Sequence, residues 1–313
     1  MAQPQEPNRA LLQSRWLCLW LATRPGFLAA SLVPVLVGVA AVYHLTGAVD
    51  MLKLLLSLVA IGLVHAGVNV LNDYYDELNG TDRLNTQRVF PFTGGSRFIQ
   101  NEVLTAKQTL WFGIGLLGTA LILGLVLTLL SGGALIGIGG LGLVLGWGYS
   151  APPLRLNSRG WGELAIALGF GVLIPLGAWY VQTGYLSAYP VLISLGLAVL
   201  VANILIINQF PDYAADKQVG KHHWVIRLGL DSAPYLYGAL VLIAALSTVL
   251  NILFDLLPPL AFILLLPLMM SVKAYSDLKH YAKTPQHLAL AIKLTIGSMV
   301  LHGLLLTLIL ALN

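Results

Sequence analysis

Apolar runs long enough to cross a lipid bilayer occupy most of this chain, and they limit its possible folds more than any other feature. A helix needs about 20 apolar residues to cross a hydrocarbon core about 30 Å thick, because each residue adds about 1.5 Å. Nine runs come close to that length. They lie at residues 25–45, 52–72, 108–130, 133–149, 163–181, 187–209, 233–254, 256–275 and 287–312. We therefore predict an all-α fold, namely a polytopic membrane protein with about nine transmembrane helices.

The composition also indicates that the chain lies in a lipid bilayer. Only 10% of the 313 residues are charged, compared with about 25% in soluble domains, and the mean hydropathy is +0.83. A water-soluble fold of this chain would leave too much apolar surface uncovered. The single cysteine, Cys18, cannot form an internal disulfide. The composition thus excludes a soluble enzyme, a disordered chain and a disulfide-rich secreted module.

The charged residues favour one side of the membrane. Connections after the even-numbered runs are longer and polar, whereas those after the odd-numbered runs are short and nearly without charge. With a cytoplasmic N-terminus, every Lys and Arg except Lys53 lies on or near the cytoplasmic side, in keeping with the positive-inside rule. We expect a multi-pass protein of the cell (inner) membrane whose N-terminus and polar loops are cytoplasmic. Residues 9–24 are expected to form an interfacial helix, so that residues 1–24 are an N-terminal segment and residues 25–313 the membrane domain.

This topology also accounts for the basic isoelectric point, which is about 9.1. Basic loops beside an anionic leaflet of the lipid bilayer are a sufficient explanation. We therefore expect no binding to nucleic acid.

Two clusters of acidic and amide residues end predicted spans on the cytoplasmic side. Members of the first cluster are three, four or seven residues apart, and members of the second repeat at intervals of four, so each cluster shares one face of a helix. The first cluster consists of Asn69, Asn72, Asp73 and Asp76, with Asp82 beyond them. The second consists of Asn208, Asp212 and Asp216. Carboxylates arranged in this way repel one another unless positive charge lies between them.

The simplest alternative is that these are helix ends that fray into polar loops, where acids are common. Acids at the C-terminal end of a helix face the negative end of its dipole, so two such clusters favour a bound cation. Mg²⁺ prefers oxygen ligands and usually binds one or two carboxylates together with a substrate phosphate. Basic residues on the same side are Arg24, Arg97, Arg155, Lys217 and Lys221. Together these residues predict a site for Mg²⁺ and a diphosphate whose apolar tail lies in the membrane.

A function of another class, an ion-coupled secondary transporter, also places acids inside a membrane. A transporter needs charges near the midplane with access from both sides. Here the charges on the opposite side are Asp50, Lys53 and Asp255. This one-sided distribution favours an enzyme.

The two acidic motifs resemble those of the UbiA superfamily of intramembrane prenyltransferases, which has nine transmembrane helices and aspartate-rich motifs in the loops after helices 2 and 6. Here the motifs read Asn72-Asp73-Tyr-Tyr-Asp76 and Asp212-Tyr-Ala-Ala-Asp216. Gly80 stands where the general form has a third acid, and the next acid is Asp82. This longer spacing is similar to the branch that prenylates 1,4-dihydroxy-2-naphthoate in menaquinone biosynthesis. Further matches to that branch are Arg24-Pro25, Gly94-Gly95-Ser96-Arg97, Tyr149-Ser150-Ala-Pro-Pro-Leu-Arg155 and Gly160-Trp-Gly162-Glu163.

The resemblance implies transfer of a polyprenyl group from an allylic diphosphate to an aromatic acceptor, with Mg²⁺ as cofactor. For 1,4-dihydroxy-2-naphthoate the ring carboxyl is lost as CO₂, and 4-hydroxybenzoate and homogentisate are alternative acceptors. The implied metal ligands are Asp73, Asp76, Asp82, Asp212 and Asp216. The implied substrate-binding residues are Arg24, Asn69, Asn72, Arg97, Arg155, Asn208 and Lys221. The implied catalytic residues are Asp73, Asp76, Asp212, Lys217 and Tyr149. Tyr149 would shield the allylic cation, although an interfacial aromatic belt explains it equally well.

Three other features have structural interpretations. The glycine-rich stretch 137–142 matches a dinucleotide-binding pattern by letter, but it lies within an apolar span and is expected to let helices approach closely. His65, one turn before Asn69, is expected to form an interhelical hydrogen bond in preference to acting in catalysis. His222 and His223 are expected to lie in a solvated loop, because the cysteines or spaced acids of a zinc site do not accompany them.

Overall fold

The computed structural model describes residues 5–9 and 14–313, which form an all-helical bundle. The helices, numbered in chain order, are α1 (Arg15–Ala22), α2 (Ala29–Thr46), α3 (Met51–Asn79), α4 (Thr81–Leu84), α5 (Ala106–Ser131), α6 (Ala134–Ser150), α7 (Leu156–Arg159), α8 (Gly162–Leu168), α9 (Ile174–Thr183), α10 (Tyr189–Gln218), α11 (Trp224–Leu253), α12 (Leu268–Tyr281) and α13 (Ala289–Leu312). A 3₁₀ turn, Pro25–Phe27, leads into α2. Of the predicted interfacial helix, residues 15–22 are helical, and residues 10–13 lie outside the described part of the chain.

Nine helical segments in the described part of the chain run back and forth across the bundle. Eight of them are long and apolar enough to cross a membrane, and α6, with 17 residues, is a shorter apolar helix. Two segments are composite. A π-helical turn, Gly169–Leu173, joins α8 to α9, and a 3₁₀ segment, Pro259–Leu265, precedes α12. The predicted all-α membrane fold is thus confirmed.

Several helices extend beyond the ends that hydropathy predicted. α3 continues to Asn79 and α10 to Gln218, since backbone hydrogen bonding does not stop where the apolar run ends. The acids of both motifs therefore lie on helical turns, whereas the resemblance implied loops. α11 begins at Trp224 and contains a non-helical residue, Gly229, at φ 76°.

Local signals fix the ends of α3 and α5. Asp50 accepts a hydrogen bond from the Lys53 backbone N–H (3.1 Å) at the start of α3, and Gly80 ends this helix with φ 85°, a conformation that glycine adopts without steric cost. Thr105 and Gln108 form a reciprocal capping box at the start of α5. These caps set where the first acidic helix stops and where the following span begins.

Packing is uneven across the bundle. In the most apolar window of α10, 72% of the residues are buried, compared with 22% in α5. α10 packs with α2, α11 and α13 around the main hydrophobic core. On the other side, α3, α5, α6, α8 and α9 surround a cavity together with parts of α2 and α10.

The glycine-rich stretch of α6 faces open space. In the described residues, no atom of a neighbouring helix lies within 4 Å of a Cβ built at Gly137, Gly139, Gly140 or Gly142. The prediction that these glycines let helices approach closely is therefore wrong. Gly139, Gly140 and Gly142 instead line the cavity, where the missing side chains leave it room.

Candidate active site

An elongated cavity of about 470 Å³ runs between the helices that surround α6. α3 lines it from Ser57 to Asp76, a distance of about 28 Å along the helix axis. Asp76, Asp212, Asp216 and Lys221 lie at one end, which we call the mouth. Valine, leucine, isoleucine, alanine and glycine form most of the remaining wall. The cavity therefore suits a molecule with a charged head and a long apolar tail.

Lys221 joins the two acidic helices at the mouth. Its Nζ lies 3.0 Å from Asp76 Oδ1 and 2.8 Å from Asp216 Oδ1. The chain turns at Gly220, φ 78°, and the Lys221 N–H donates to the Asp216 carbonyl (2.9 Å), which brings the lysine back over the end of α10. Burial alone would lower the pKa of Lys221, but Asp76 and Asp216 raise it above its usual value, so the side chain is positively charged.

Amide and imidazole groups complete the surroundings of these two carboxylates. Asp76 Oδ2 accepts a hydrogen bond from Asn72, and Asp76 Oδ1 accepts one from Asn79, each 3.0 Å long. Asp216 Oδ2 lies 3.1 Å from His223 Nε2. Both carboxylates are therefore held by a cation and by neutral donors.

His223 is a member of this site that the sequence interpretation missed. The residue is 1% exposed, so the expectation of a solvated loop is wrong for it, although His222 is exposed. Its Nδ1 accepts from the Ile226 N–H (3.4 Å) as the N-cap of α11. A neutral ring then carries its proton on Nε2, which donates to Asp216.

Asp73, Asp82 and Asp212 have a different environment. Asp73 accepts weakly from the Ser96 backbone N–H, at 3.2 and 3.3 Å, and Asp212 Oδ1 accepts from the Asn85 amide. Asp82 Oδ2 is buried, and it has no hydrogen-bond partner among the described residues. Burial, together with the charges of Asp76, Asp73 and Asp212, raises the pKa of Asp82 well above its usual range. Such a group of carboxylates is unfavourable unless a cation joins it.

Gly95 shows how closely two of these acids face each other. A Cβ built at this glycine, which has φ 74°, would overlap Asp82 Oδ2 and lie 3.2 Å from Asp73 Oδ1. The backbone of the loop between α4 and α5 can approach both carboxylates only because no side chain is present here. The Gly94-Gly95-Ser96-Arg97 segment thus closes over the first acidic helix.

This arrangement fits a divalent cation. Buried oxygen ligands that lack a compensating charge are what Mg²⁺ prefers. Among the described residues, no three His, Cys, Asp or Glu side chains form a ready-made metal cage. Mg²⁺ does not need one, because it usually keeps several waters and shares carboxylates with substrate phosphates.

Two of the predicted arginines lie near the carboxylates. Arg24, at φ 58°, lines the mouth, donates from Nη2 to the Phe92 carbonyl (2.9 Å) and lies 5.1 Å from the centre of the Phe27 ring. Arg97, at φ 67°, is buried and donates from Nη1 to the Asp82 carbonyl. Its Nε lies 3.8 Å from Glu6 Oε2.

Two other predicted cations lie away from the mouth. Arg155, at φ 45°, is exposed and does not line the cavity. Lys217 is also exposed, with its ammonium 5.6 Å from the centre of the Tyr213 ring. Of the predicted basic residues, Lys221 has the most direct contacts with the acidic motifs.

Polar side chains continue a short distance into the cavity. Asn69 donates to the Thr23 carbonyl (3.0 Å), and Asn69, Tyr149 and Asn208 all line the cavity. Gln209 donates to Glu163 Oε1 (3.0 Å), which links α10 to the start of α8. The Asn208 side-chain oxygen is buried without a hydrogen bond to any described residue, so it is available to a ligand.

His65 lies deeper in the same wall. Its Nδ1 is 2.9 Å from Ser31 Oγ on α2. The predicted interhelical hydrogen bond of His65 is therefore confirmed.

The fold and this charged mouth describe a membrane-embedded enzyme that binds a charged head group and an apolar tail. Residues 31–299 match the UbiA prenyltransferase family, and the chain belongs to this family. It is a multi-pass membrane prenyltransferase.

Two curated relatives cover most of the chain. It is 31% identical to the "UbiA prenyltransferase domain-containing protein 1" of Danio rerio over 94% of this chain and 86% of that protein. It is 29% identical to the "1,4-dihydroxy-2-naphthoate octaprenyltransferase" of Bacillus subtilis over 92% of this chain and 90% of that protein. A Mycobacterium tuberculosis protein with the latter name is 31% identical over 73% of this chain and 76% of its own length.

Solved structures show the same fold. A UbiA homolog from Archaeoglobus fulgidus bound to DMAPP and Mg²⁺ superposes with a TM-score of 0.65 at 17% identity, covering 93% of this chain and 99% of that one. The same homolog bound to GPP and Mg²⁺ gives a TM-score of 0.59 at 16% identity over 92% of this chain and 99% of that one.

Proposed function

We propose that this enzyme transfers a polyprenyl group from an allylic diphosphate to 1,4-dihydroxy-2-naphthoate, with loss of the ring carboxyl as CO₂, in menaquinone biosynthesis. The observation that carries the transfer reaction is the charged mouth at one end of a long apolar cavity. The proposed acceptor is supported by relatives named for it in B. subtilis and M. tuberculosis, at 29% and 31% identity.

The diphosphate lies at the mouth in this proposal. Asp73, Asp82 and Asp212 would hold Mg²⁺ beside the diphosphate, and Asp76 and Asp216 would belong to the same group of metal-binding acids. Bound Mg²⁺ supplies positive charge where the leaving diphosphate becomes more negative.

Basic and amide residues surround the head group. Lys221, Arg24 and Arg97 add fixed positive charge, and Asn69, Asn72 and Asn208 donate or accept hydrogen bonds nearby. Tyr149 lines the wall where the allylic carbon would lie and faces the developing cation. Lys217 and Arg155, both exposed, attract the anionic substrate from the membrane surface.

The orientation is also a proposal. Most Lys and Arg residues belong to the polar connections on the side of the mouth, and the positive-inside rule therefore supports a cytoplasmic mouth. For a bacterial cell this corresponds to the inner membrane. Diphosphate release would then occur into the cytoplasm.

The test is an assay on purified full-length protein in lipid nanodiscs. The protein is incubated with Mg²⁺, a polyprenyl diphosphate and one of three aromatic acids: 1,4-dihydroxy-2-naphthoate, 4-hydroxybenzoate or homogentisate. We expect a prenylated, decarboxylated product by mass from the naphthoate and none after full chelation of the metal. Product from a different acid would replace the proposed acceptor, and turnover that survives chelation would overturn the metal requirement.

A further inference from the structure

One titratable side chain lies in the cavity wall beyond the diphosphate region and has no role in the account above. His65 is on α3, one turn before Asn69 and about 12 Å along the helix from Asp73. It lines the cavity together with Ser31 and Phe170. The Phe170 ring meets the imidazole edge to face, with 5.3 Å between the ring centres.

The hydrogen bonds of Ser31 determine which nitrogen of His65 carries the proton. Ser31 Oγ lies 2.9 Å from the Leu28 carbonyl oxygen and 2.9 Å from His65 Nδ1. A serine hydroxyl has one proton, and the Leu28 carbonyl can only accept. The hydroxyl proton therefore goes to Leu28, and Ser31 accepts from the Nδ1–H of His65.

This tautomer leaves Nε2 as a lone-pair acceptor. Among the described residues no hydrogen bond joins Nε2, and His65 is part of the cavity wall. In the uncharged ring this nitrogen is therefore free to accept a hydrogen bond from a ligand. Phe170 and Val64 line the cavity next to His65, and such aromatic and aliphatic neighbours suit a flat aromatic ring with a hydroxyl group.

We propose that His65 Nε2 accepts a hydrogen bond from a hydroxyl group of the aromatic acceptor and takes its proton during prenyl transfer, while Ser31 fixes the tautomer. This inference rests on the proposed function. Asn69 lines the cavity one helical turn nearer the mouth than His65. An aromatic ring placed next to the allylic carbon of a diphosphate bound at the mouth would therefore lie beside these two residues. Ser31 is a positioning residue in this scheme.

The proton and electron transfers balance without a further reactant. The bond between the allylic carbon and the diphosphate oxygen breaks, and its electron pair leaves with the diphosphate. A ring carbon that bears the carboxylate forms the new carbon–carbon bond with an electron pair of the ring, as the hydroxyl proton moves to Nε2 and the oxygen becomes a ketone. Loss of CO₂ from that carbon returns an electron pair to the ring, and the imidazolium returns the proton to the oxygen.

The test compares three single variants with the wild-type protein in the assay described above. His65→Asn keeps an N–H that can donate to Ser31 but removes the nitrogen that faces the cavity. We expect it to lower kcat/KM for the acceptor by about 100-fold, the lower range for a lost proton-transfer group, with no change in KM for the polyprenyl diphosphate. In Ser31→Ala the serine no longer holds the imidazole proton on Nδ1. We expect a smaller loss of kcat/KM for the acceptor, about 10-fold.

His302→Asn is the matched control. His302 is buried and, like His65, is bonded through Nδ1, to the Leu264 carbonyl at 3.1 Å, but it does not line the cavity. We expect its kinetic constants to match those of the wild type. An acceptor with methylated hydroxyls should react slowly with the wild type. The same methylation should lower kcat/KM for the acceptor by a smaller factor in His65→Asn, which has already lost the nitrogen that accepts from the hydroxyl.

The outcomes separate the two proposals. If the wild-type protein forms product and His65→Asn retains its kcat/KM for the acceptor, the role of His65 is refuted and the proposed function stands. If methylation lowers kcat/KM by the same factor in the wild type and in His65→Asn, the role of His65 is refuted as well. This ratio is taken within each protein, so it holds even if part of the His65→Asn protein is unfolded. If the wild type prenylates no aromatic acid, the proposed function itself fails.

Discussion

The carboxylates at the mouth belong to two groups that differ in how their charge is balanced. Asp76 and Asp216 share the Lys221 ammonium and accept further hydrogen bonds. Asp73 and Asp82, which face each other across Gly95, have no ion pair with a described residue. Each acidic helix contributes to the first group, so membership does not follow the two sequence motifs. The comparison indicates that Lys221 joins the two acidic helices, whereas the second group is suited to binding a cation.

The largest effect is expected from removing a carboxylate of the second group. Asp73→Ala should lower turnover by at least about 1000-fold. Without this carboxylate the site would lose Mg²⁺, whose positive charge stabilises the leaving diphosphate. The variant's thermal unfolding temperature without Mg²⁺ should stay the same or rise, since one repelling carboxylate is gone. Activity and unfolding in nanodiscs check both expectations.

The control for this variant is Asp231→Ala. Asp231 is an exposed residue of α11 that pairs with Lys283 at 2.7 Å, and it should keep normal turnover. Asp73→Ala with unimpaired turnover would remove this residue from the metal site.

A smaller loss of activity, but a larger loss of stability, is expected from Lys221→Met. Asp76 and Asp216 would then be buried without their cation, which costs about 3–5 kcal/mol when one partner of a buried pair is removed. We expect the unfolding temperature to fall and kcat/KM for the diphosphate to drop by about 100-fold. The matched control is Lys283→Met, whose exposed ammonium pairs with Asp231 at 2.7 Å, and we expect it to stay within about 3-fold of wild type. Equal losses of stability and activity in the two variants would show that Lys221 matters no more than an exposed lysine.

The smallest effect concerns the N-terminal segment. Glu6 Oε1 accepts from Arg88 Nε (2.7 Å), and Glu6 Oε2 accepts from Asn101 (3.2 Å) and lies near Arg97. Glu6→Gln should loosen the loop that carries Arg97 and raise KM for the diphosphate by about 5-fold, since a partly exposed ion pair contributes at most about 1 kcal/mol. Steady-state kinetics over a range of diphosphate concentrations measure this change, and a pure kcat effect would place Glu6 in another role.

Much of the fold could be predicted because hydropathy reports directly on the length of each span. Helical spacing also predicted that Asp73 and Asp76 share a face, as do Asp212 and Asp216, since that relation is local. The extent of α3 and α10 was underestimated, because their last turns are polar and continue only through hydrogen bonding.

Contacts between distant segments could not be predicted in the same way. Asn85 meets Asp212, and Ser96 meets Asp73, only after α3, α4 and α10 have packed. His222 and His223 look equivalent in the sequence, yet one is exposed and the other caps α11. A helix-cap pattern at His223 was the available signal, although histidine is an uncommon N-cap residue.

Arg24 and Arg97 hold a backbone conformation that glycine would adopt freely. For a residue with a Cβ, the left-handed region costs about 1–2 kcal/mol. The chain has thus given up some folding stability at two positions where it presents positive charge beside its carboxylates. Selection for heat resistance alone would favour glycine at these positions, whereas selection for turnover would favour arginine. At each of these two residues, therefore, a gain in activity comes with a loss of stability.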